Sequence, residues 1–138
     1  MDLIGHWSLV VLVIFIQSVC CDIGLDQSPH QVKNPGDPVK LSCKTSGFEM
    51  TSAYMSWIRQ KPGKGLEWIG RINCGSGSEP DYADSLKDQF TLTEDVPTST
   101  QFLEAKNLRA EDSAVYYCAR DTLLWRLVKQ LYKNIDIT

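Results

Sequence analysis

Cysteines are the residues of this sequence with the widest chemical scope, and five are present: Cys20, Cys21, Cys43, Cys74 and Cys118. A thiol can attack a substrate, bind a metal ion or pair into a disulfide. Cys43 and Cys118 lie far apart in the sequence, and a bridge between them would close a long loop. In the chain-entropy model such a bridge stabilises the fold by about 4 kcal/mol.

The remaining residues do not supply a catalytic or metal centre. The two histidines, His6 and His30, are far apart, the carboxylates are scattered, and there is neither a nucleophile elbow nor a phosphate-binding loop. Zinc needs three or four convergent ligands, so Cys74 alone predicts no metal site. A net charge of −3 without a long single-sign run argues against a nucleic-acid partner. We expect no enzyme activity and no cofactor.

The N-terminus predicts the compartment. Residues Leu9 to Ile16, "LVVLVIFI", form an apolar run that is too short to span a bilayer but suits the core of a secretory signal peptide. We expect cleavage after Cys21, so that residues 1–21 are the signal peptide. The mature chain would then be secreted or extracellular, where disulfides persist.

From Asp22 onward the pattern is all-β. Short segments rich in β-branched and aromatic residues are separated by Gly, Pro, Ser and Asp. In "PVKLSCK" the residues Val39, Leu41 and Cys43 share one face, which is typical of a strand with one buried face. "DSAVYYCAR" is the last clear strand, and it places Cys118 on an inward face.

The motifs along these strands resemble an immunoglobulin heavy-chain variable domain. Cys43, Trp57 and Cys118, with Tyr116 two residues before the second cysteine, are similar to that family's disulfide, core tryptophan and tyrosine corner. "WIRQKPGKGLEWIG" resembles the second framework of heavy chains, and "YADSLKDQFTLT" and "LRAEDSAVYYCAR" resemble the third. The resemblance covers residues 22–120 and implies a variable-type two-sheet sandwich with a single inter-sheet disulfide, Cys43–Cys118.

The resemblance also implies a binding surface. In this family the antigen is bound by three loops at one end of the sandwich, and Ser, Gly, Asn and Tyr in such loops suit adaptable hydrogen bonding. The expected antigen-binding residues are Thr51, Ser52, Ala53, Tyr54, Arg71, Asn73, Cys74, Gly75, Ser76, Gly77, Ser78, Asp81, Arg120 and Asp121.

A second surface is implied where heavy chains pair with light chains. Gln60, Leu66, Trp68 and Tyr117 match positions of that interface. Exposed Leu, Trp and Tyr side chains on one sheet face would favour aggregation of a lone domain, and a light-chain variable domain would cover them.

Three departures from the family pattern stand out. Gln89 occupies a position where family members usually carry an Arg paired with the acid that matches Asp112, so Asp112 needs another donor. Gln101 and Ala105 occupy core positions that are usually larger and apolar, which predicts looser packing. Cys74 is expected to be an unpaired, partly shielded thiol in the second loop; pairing with a third-loop cysteine is the alternative.

The segment after Arg120 departs furthest, because it lacks the Gly-containing final strand of a rearranged variable domain. "DT" can be encoded by the start of a recombination heptamer and "YKN" by most of an A-rich nonamer. Our hypothesis is that residues 121–138 are translated germline flank, so that the final strand is missing or atypical. A frameshifted or truncated transcript is the alternative.

Antigen recognition is therefore the predicted function, with antigen and a light-chain variable domain as partners. Membrane attachment would come only through a constant region that this chain does not contain, on the external side of the plasma membrane. A T-cell-receptor or adhesion domain is the alternative within the same fold, although "GLEWIG" argues against it. A secreted enzyme is a distant third.

Overall fold

The computed structural model describes residues 22–121. The predicted signal peptide and the segment after Asp121, including the question of the final strand, lie outside the described residues. Within residues 22–121 no helix is long and apolar enough to cross a membrane.

In the part of the chain that the structure describes, eight antiparallel strands form two four-stranded sheets packed face to face. In chain order the strands are β1 (Gly24–Gln27), β2 (Val39–Ser46), β3 (Tyr54–Gln60), β4 (Leu66–Asn73), β5 (Asp81–Tyr82), β6 (Phe90–Asp95), β7 (Thr100–Ala105) and β8 (Val115–Arg120). One sheet has the order β1-β2-β7-β6 and the other has the order β5-β4-β3-β8. The predicted all-β two-sheet sandwich is confirmed.

The core lies between the two sheets, where alternate side chains of each strand point inward. Trp57 is fully buried and is the cross-strand partner of Cys118, and Phe90 and Leu103 belong to the same apolar cluster. The predicted disulfide joins Cys43 of β2 to Cys118 of β8 and therefore links the two sheets. Burial of these side chains is the main stabilising contribution to the fold.

A buried charge cluster stands below the core, at the end of the sandwich opposite the predicted binding loops. Nη1 of Arg59 donates to Oδ1 of Asp112 at 2.9 Å, and Nε of Arg59 donates to Oε2 of Glu67 at 2.6 Å. The other carboxylate oxygen of Asp112 accepts from Nε2 of Gln89 at 2.5 Å and from the backbone N–H of Arg109 at 2.8 Å. Arg59 thus supplies a cation for Asp112, and Gln89, at the position where the family usually carries an Arg, still donates to the same carboxylate through its amide.

Hydrogen bonds and the charge of Arg59 offset the cost of burying the carboxylate of Asp112. Burial alone would raise the pKa of Asp112, but the N–H of Arg109, the amide of Gln89 and the guanidinium of Arg59 outweigh it and lower that pKa. Burial raises the pKa of Tyr116, whose hydroxyl donates to the backbone carbonyl of Asp112 at 2.8 Å. That hydrogen bond is the predicted tyrosine corner.

A side-chain amide joins β1 to β8. Nε2 of Gln27 donates to the carbonyl of Tyr116 at 2.8 Å, and Oε1 of Gln27 accepts from the N–H of Cys118 at 3.2 Å. These two backbone groups lie on the side of β8 that faces away from β3. The amide therefore occupies part of the outer edge of β8, a role that the sequence pattern did not indicate.

Candidate binding loops and pairing face

The register places three predicted loop segments at one end of the sandwich. β2 ends and β3 begins there, which positions residues 47–53; β4 ends there, which positions residues 74–80; and β8 ends there at Arg120. A fourth segment, the turn 96–99 between β6 and β7, lies at the same end, because Thr100 pairs with Lys44. The sequence pattern did not indicate that this turn lies beside the three loops.

Arg71 of β4 joins all three loop segments at their base. Its Nε donates to Oδ2 of Asp81 at 2.8 Å, its Nη1 lies 3.8 Å from Oδ2 of Asp121, and its guanidinium carbon lies 5.1 Å from the ring centroid of Tyr54. The backbone N–H of Asp121 also donates to the carbonyl of Tyr54 at 2.8 Å. One cation therefore connects the end of the first loop, the second-loop hairpin and the first residue after β8.

The side chain of Asp121 also accepts a hydrogen bond from β3. Oγ of Ser56 donates to its Oδ1 at 2.7 Å, and Nε1 of Trp68 donates to that hydroxyl at 3.4 Å. The side chain of Asp121 is only 7% exposed, whereas that of Asp81 is 61% exposed. Asp121 thus anchors the base of the third segment, while Asp81 remains available at the surface.

The first and second loops approach each other closely. Gly75 adopts a φ of 71°, and a Cβ at this position would lie 2.6 Å from Cγ2 of Thr51. Any other residue would be strained in its backbone and would clash with the first loop. Thr51 and Ser52 of the first loop and Ser76 and Ser78 of the second loop are exposed.

Cys74 and Ala53 do not reach the loop surface. Cys74 is unpaired, as predicted, but at 1% exposure it is fully rather than partly shielded, and Ala53 is 8% exposed, so neither side chain is placed at the surface where an antigen would bind. The N–H of Cys74 donates to the carbonyl of Ala53 at 3.2 Å, and its Sγ accepts from the buried amide of Gln101. Burial and, secondarily, the charge of Glu94 raise the pKa of Cys74 to about 12, so the thiol is neutral at pH 7.

The polar residue Gln101 lies in the core because its side chain has a buried partner. Its side chain is fully buried and its Nε2 donates to Sγ of Cys74 at 2.9 Å. Ala105 is also buried, as expected from its strand position. The predicted weakness at Gln101 is thus offset in part by a partner that lies in the other sheet.

The pairing register brings the predicted interface residues together on the outer face of the second sheet. Gln60 is the cross-strand partner of both Leu66 and Val115, and Ile58 is the partner of both Trp68 and Tyr117. Leu66 is 61% exposed, Val115 is 55% exposed and Tyr117 is 39% exposed. Val115 and Ile58 extend the face beyond the four residues that the sequence indicated.

These features define a variable-type immunoglobulin sandwich with a loop end and an apolar sheet face. The chain matches the family model for the immunoglobulin V-set domain over residues 27–130. It belongs to this family, which is non-enzymatic and whose domains are typically extracellular or on the cell surface. V-set domains generally bind ligands or pair with other immunoglobulin domains. The match continues beyond Arg120, where the sequence analysis placed the end of the domain.

Proposed function

We propose that this chain is the variable part of an immunoglobulin heavy chain, that its loop end binds antigen, and that its outer sheet face pairs with a light-chain variable domain. The observation that carries the proposal is the arrangement of the outer sheet face, where Leu66, Gln60 and Val115 form one row across the strands and Trp68, Ile58 and Tyr117 form the next. Gln60, Leu66, Trp68 and Tyr117, which were singled out by the heavy-chain pattern, are neighbours across three strands.

The loop end suits recognition of a folded antigen. Exposed hydroxyl groups and the ring of Tyr54 offer adaptable hydrogen bonds and a rigid aromatic contact, which is the chemistry of antibody binding surfaces. The contacts of Arg71 hold the bases of the loops before any antigen arrives. Such preorganisation reduces the entropy lost on binding and therefore strengthens affinity.

The apolar face suits a permanent partner. Burial of Leu66, Val115 and Tyr117 against a second domain removes exposed apolar area from water, at about 25 cal/mol per Å². Gln60 stands between Leu66 and Val115 on this face. Its Nε2 donates to the carbonyl of Lys64 at 3.1 Å, and its amide oxygen would accept from a polar group of the partner. In this proposal the chain is secreted, or held outside the plasma membrane through a constant region supplied by a longer polypeptide.

The same proposal includes the boundaries inferred from the sequence. Residues 1–21 would be a signal peptide, residues 22–120 the variable-type domain, and residues 121–138 translated germline flank. Sequencing the genomic DNA downstream of the codon for Arg120 tests the last point directly: a recombination signal supports it, and a joining segment contradicts it.

Co-expression with a light-chain variable domain tests the pairing. We expect a one-to-one heterodimer by size-exclusion chromatography with light scattering. Leu66→Asp should abolish it, because a carboxylate would be buried without a partner. Val32→Asp is the matched control, since Val32 is 85% exposed but lies in the segment that leads into β2 of the other sheet. Equal effects of the two substitutions, or no heterodimer for the unmodified chain, would contradict the proposal.

A further inference from the structure

The loop end has two edges, which the strand order of the two sheets defines. In the second sheet, β5 and β8 are at opposite ends of the order β5-β4-β3-β8, so the second loop, between β4 and β5, lies far from the segment that follows β8. In the first sheet, β1 lies beside β8 through the contacts of Gln27. The strand β6 lies beside β5, because the hydroxyl of Tyr82 accepts from the N–H of Leu92 at 2.9 Å. The second loop and the turn 96–99 between β6 and β7 therefore share one edge.

Direct contacts join three segments at this edge. Oε1 of Glu94, which lies two residues before the turn, accepts from the N–H of Gly75 in the second loop at 2.8 Å. The second loop also approaches the first loop, since a Cβ at Gly75 would lie 2.6 Å from Cγ2 of Thr51. The first loop, the second loop and the turn thus form one continuous surface, and the contacts that join them do not use the third segment.

The turn is ordered by contacts on both of its sides. Val96 packs against the buried apolar cluster, and its carbonyl accepts from the N–H of Ser99 at 3.0 Å. The carbonyl of Ser99 accepts from the N–H and from the hydroxyl of Thr45, at 2.8 Å and 3.1 Å. Pro97 and Thr98 are exposed between these fixed points. A turn that is ordered before a ligand arrives loses less entropy on binding.

The side chains of this surface offer hydroxyl groups and carboxylates. Exposed residues with hydroxyl groups are Thr51, Ser52, Ser76, Ser78 and Thr98. Residues 49–52, 74–80 and 94–99 also contain four carboxylates, and they contain neither Lys nor Arg. Hydroxyl groups donate or accept hydrogen bonds, whereas carboxylates only accept them. A folded protein that presents Lys and Arg side chains complements such a surface, because their donors carry the opposite charge.

We propose that the first loop, the second loop and the turn 96–99 form a recognition subsite for a folded protein with a basic surface, and that this edge subsite acts without the third segment or the light-chain domain. The inference rests on the proposed function and adds a fourth segment to its binding surface. The turn belongs to the first sheet, whereas the pairing face is the outer face of the second sheet. A light-chain domain on that face lies on the other side of the core from the turn.

Selection from a displayed library tests the edge subsite. The full chain is displayed with a light-chain variable domain, and the library varies the exposed residues Thr51, Ser76, Pro97 and Thr98. We expect specific binders of a basic folded protein, and fewer binders of an acidic protein of similar size. Replacement of the light-chain domain by an unrelated one should change their affinity less than about threefold, whereas restoring Pro97 and Thr98 should weaken it about tenfold or more.

A companion library, which varies Thr51, Ser52, Ser76 and Ser78 and keeps the turn unchanged, separates this inference from the proposed function. Binders from the companion library alone would overturn the edge subsite and leave the proposed function in place, whereas no binders from either library would count against both. The inference is also overturned if its binders lose their affinity with the new light-chain domain, or keep it when the turn is restored. Equal numbers of binders for the basic and the acidic target would overturn the assigned partner.

Discussion

Removal of one partner of the buried ion pair between Arg59 and Asp112 is predicted to destabilise the domain far more than the distance between the two side chains suggests. Both side chains are only 3% exposed, and Nη1 and Oδ1 are 2.9 Å apart. The pair between Lys40 and Glu104 has nearly the same length, 2.8 Å, but its side chains are 55% and 37% exposed. The two pairs therefore have nearly the same length and differ mainly in burial; Arg59 also pairs with the exposed carboxylate of Glu67 at 2.6 Å, and its loss removes that contact too.

The perturbations are Arg59→Met and Lys40→Met, which remove the cation and keep much of the side-chain volume. Loss of Arg59 leaves the carboxylate of Asp112 buried with only uncharged donors, and this should lower the free energy of unfolding by about 3–5 kcal/mol. Loss of Lys40 should cost less than about 1 kcal/mol, because water already screens that pair. A domain of this size has only about 5–15 kcal/mol of stability.

Urea denaturation at pH 7, followed by tryptophan fluorescence, measures both values from the transition midpoints. Repeating the measurement in acid adds a second check. The folded-state pKa of Asp112 is lowered, so its ionised form stabilises the fold above the unfolded-state pKa, and this contribution is lost as the pH falls through the folded-state pKa. The difference in the free energy of unfolding between wild type and Arg59→Met should therefore become smaller in acid. Equal losses for the two variants at pH 7 would refute the reasoning.

Two further predictions concern the core and the thiol. Trp57→Ala should prevent secretion, because the cavity costs about 3–5 kcal/mol, whereas Ser76→Ala in the exposed second loop should be secreted normally; equal secretion of both would contradict the assigned core. Cys74 should resist a thiol-alkylating reagent in the native domain and react once the domain is unfolded with its disulfide intact, because it is buried and its pKa is raised to about 12. Rapid labelling of the native protein, followed by mass spectrometry, would show that the loop opens and would contradict this placement.

Much of the fold follows from local pattern. The period-two strand around Cys43, the position of Trp57 and the Tyr116–x–Cys118 spacing are contained in short stretches, and each was found where the pattern predicted it. That Gln60, Leu66, Trp68 and Tyr117 would lie side by side on one sheet was also predictable, because these residues lie at fixed offsets within recognisable strands.

The contacts that the sequence did not predict join segments that are distant along the chain. Nothing near Cys74 in the sequence indicates that Gln101 and Glu94 are its neighbours, since sheet packing brings them together. Likewise, the pairing of Asp112 with Arg59 requires that the end of β3 lie beside the turn before β8. A polar residue at a core position was the available signal at Gln101, because such a residue requires a partner.

The central claim is that the loop end is the recognition surface, and selection from two displayed libraries tests it most directly. The chain would be displayed with a light-chain variable domain. One library varies exposed loop positions, namely Thr51, Ser52, Ser76 and Ser78. The control library varies an equal number of exposed positions at the other end of the sandwich, namely Asn34, Lys64, Lys106 and Asn107. Selected against one folded protein target, the first library should yield specific binders while the control should not. Binders at equal frequency from both libraries, or from the control alone, would contradict the claim.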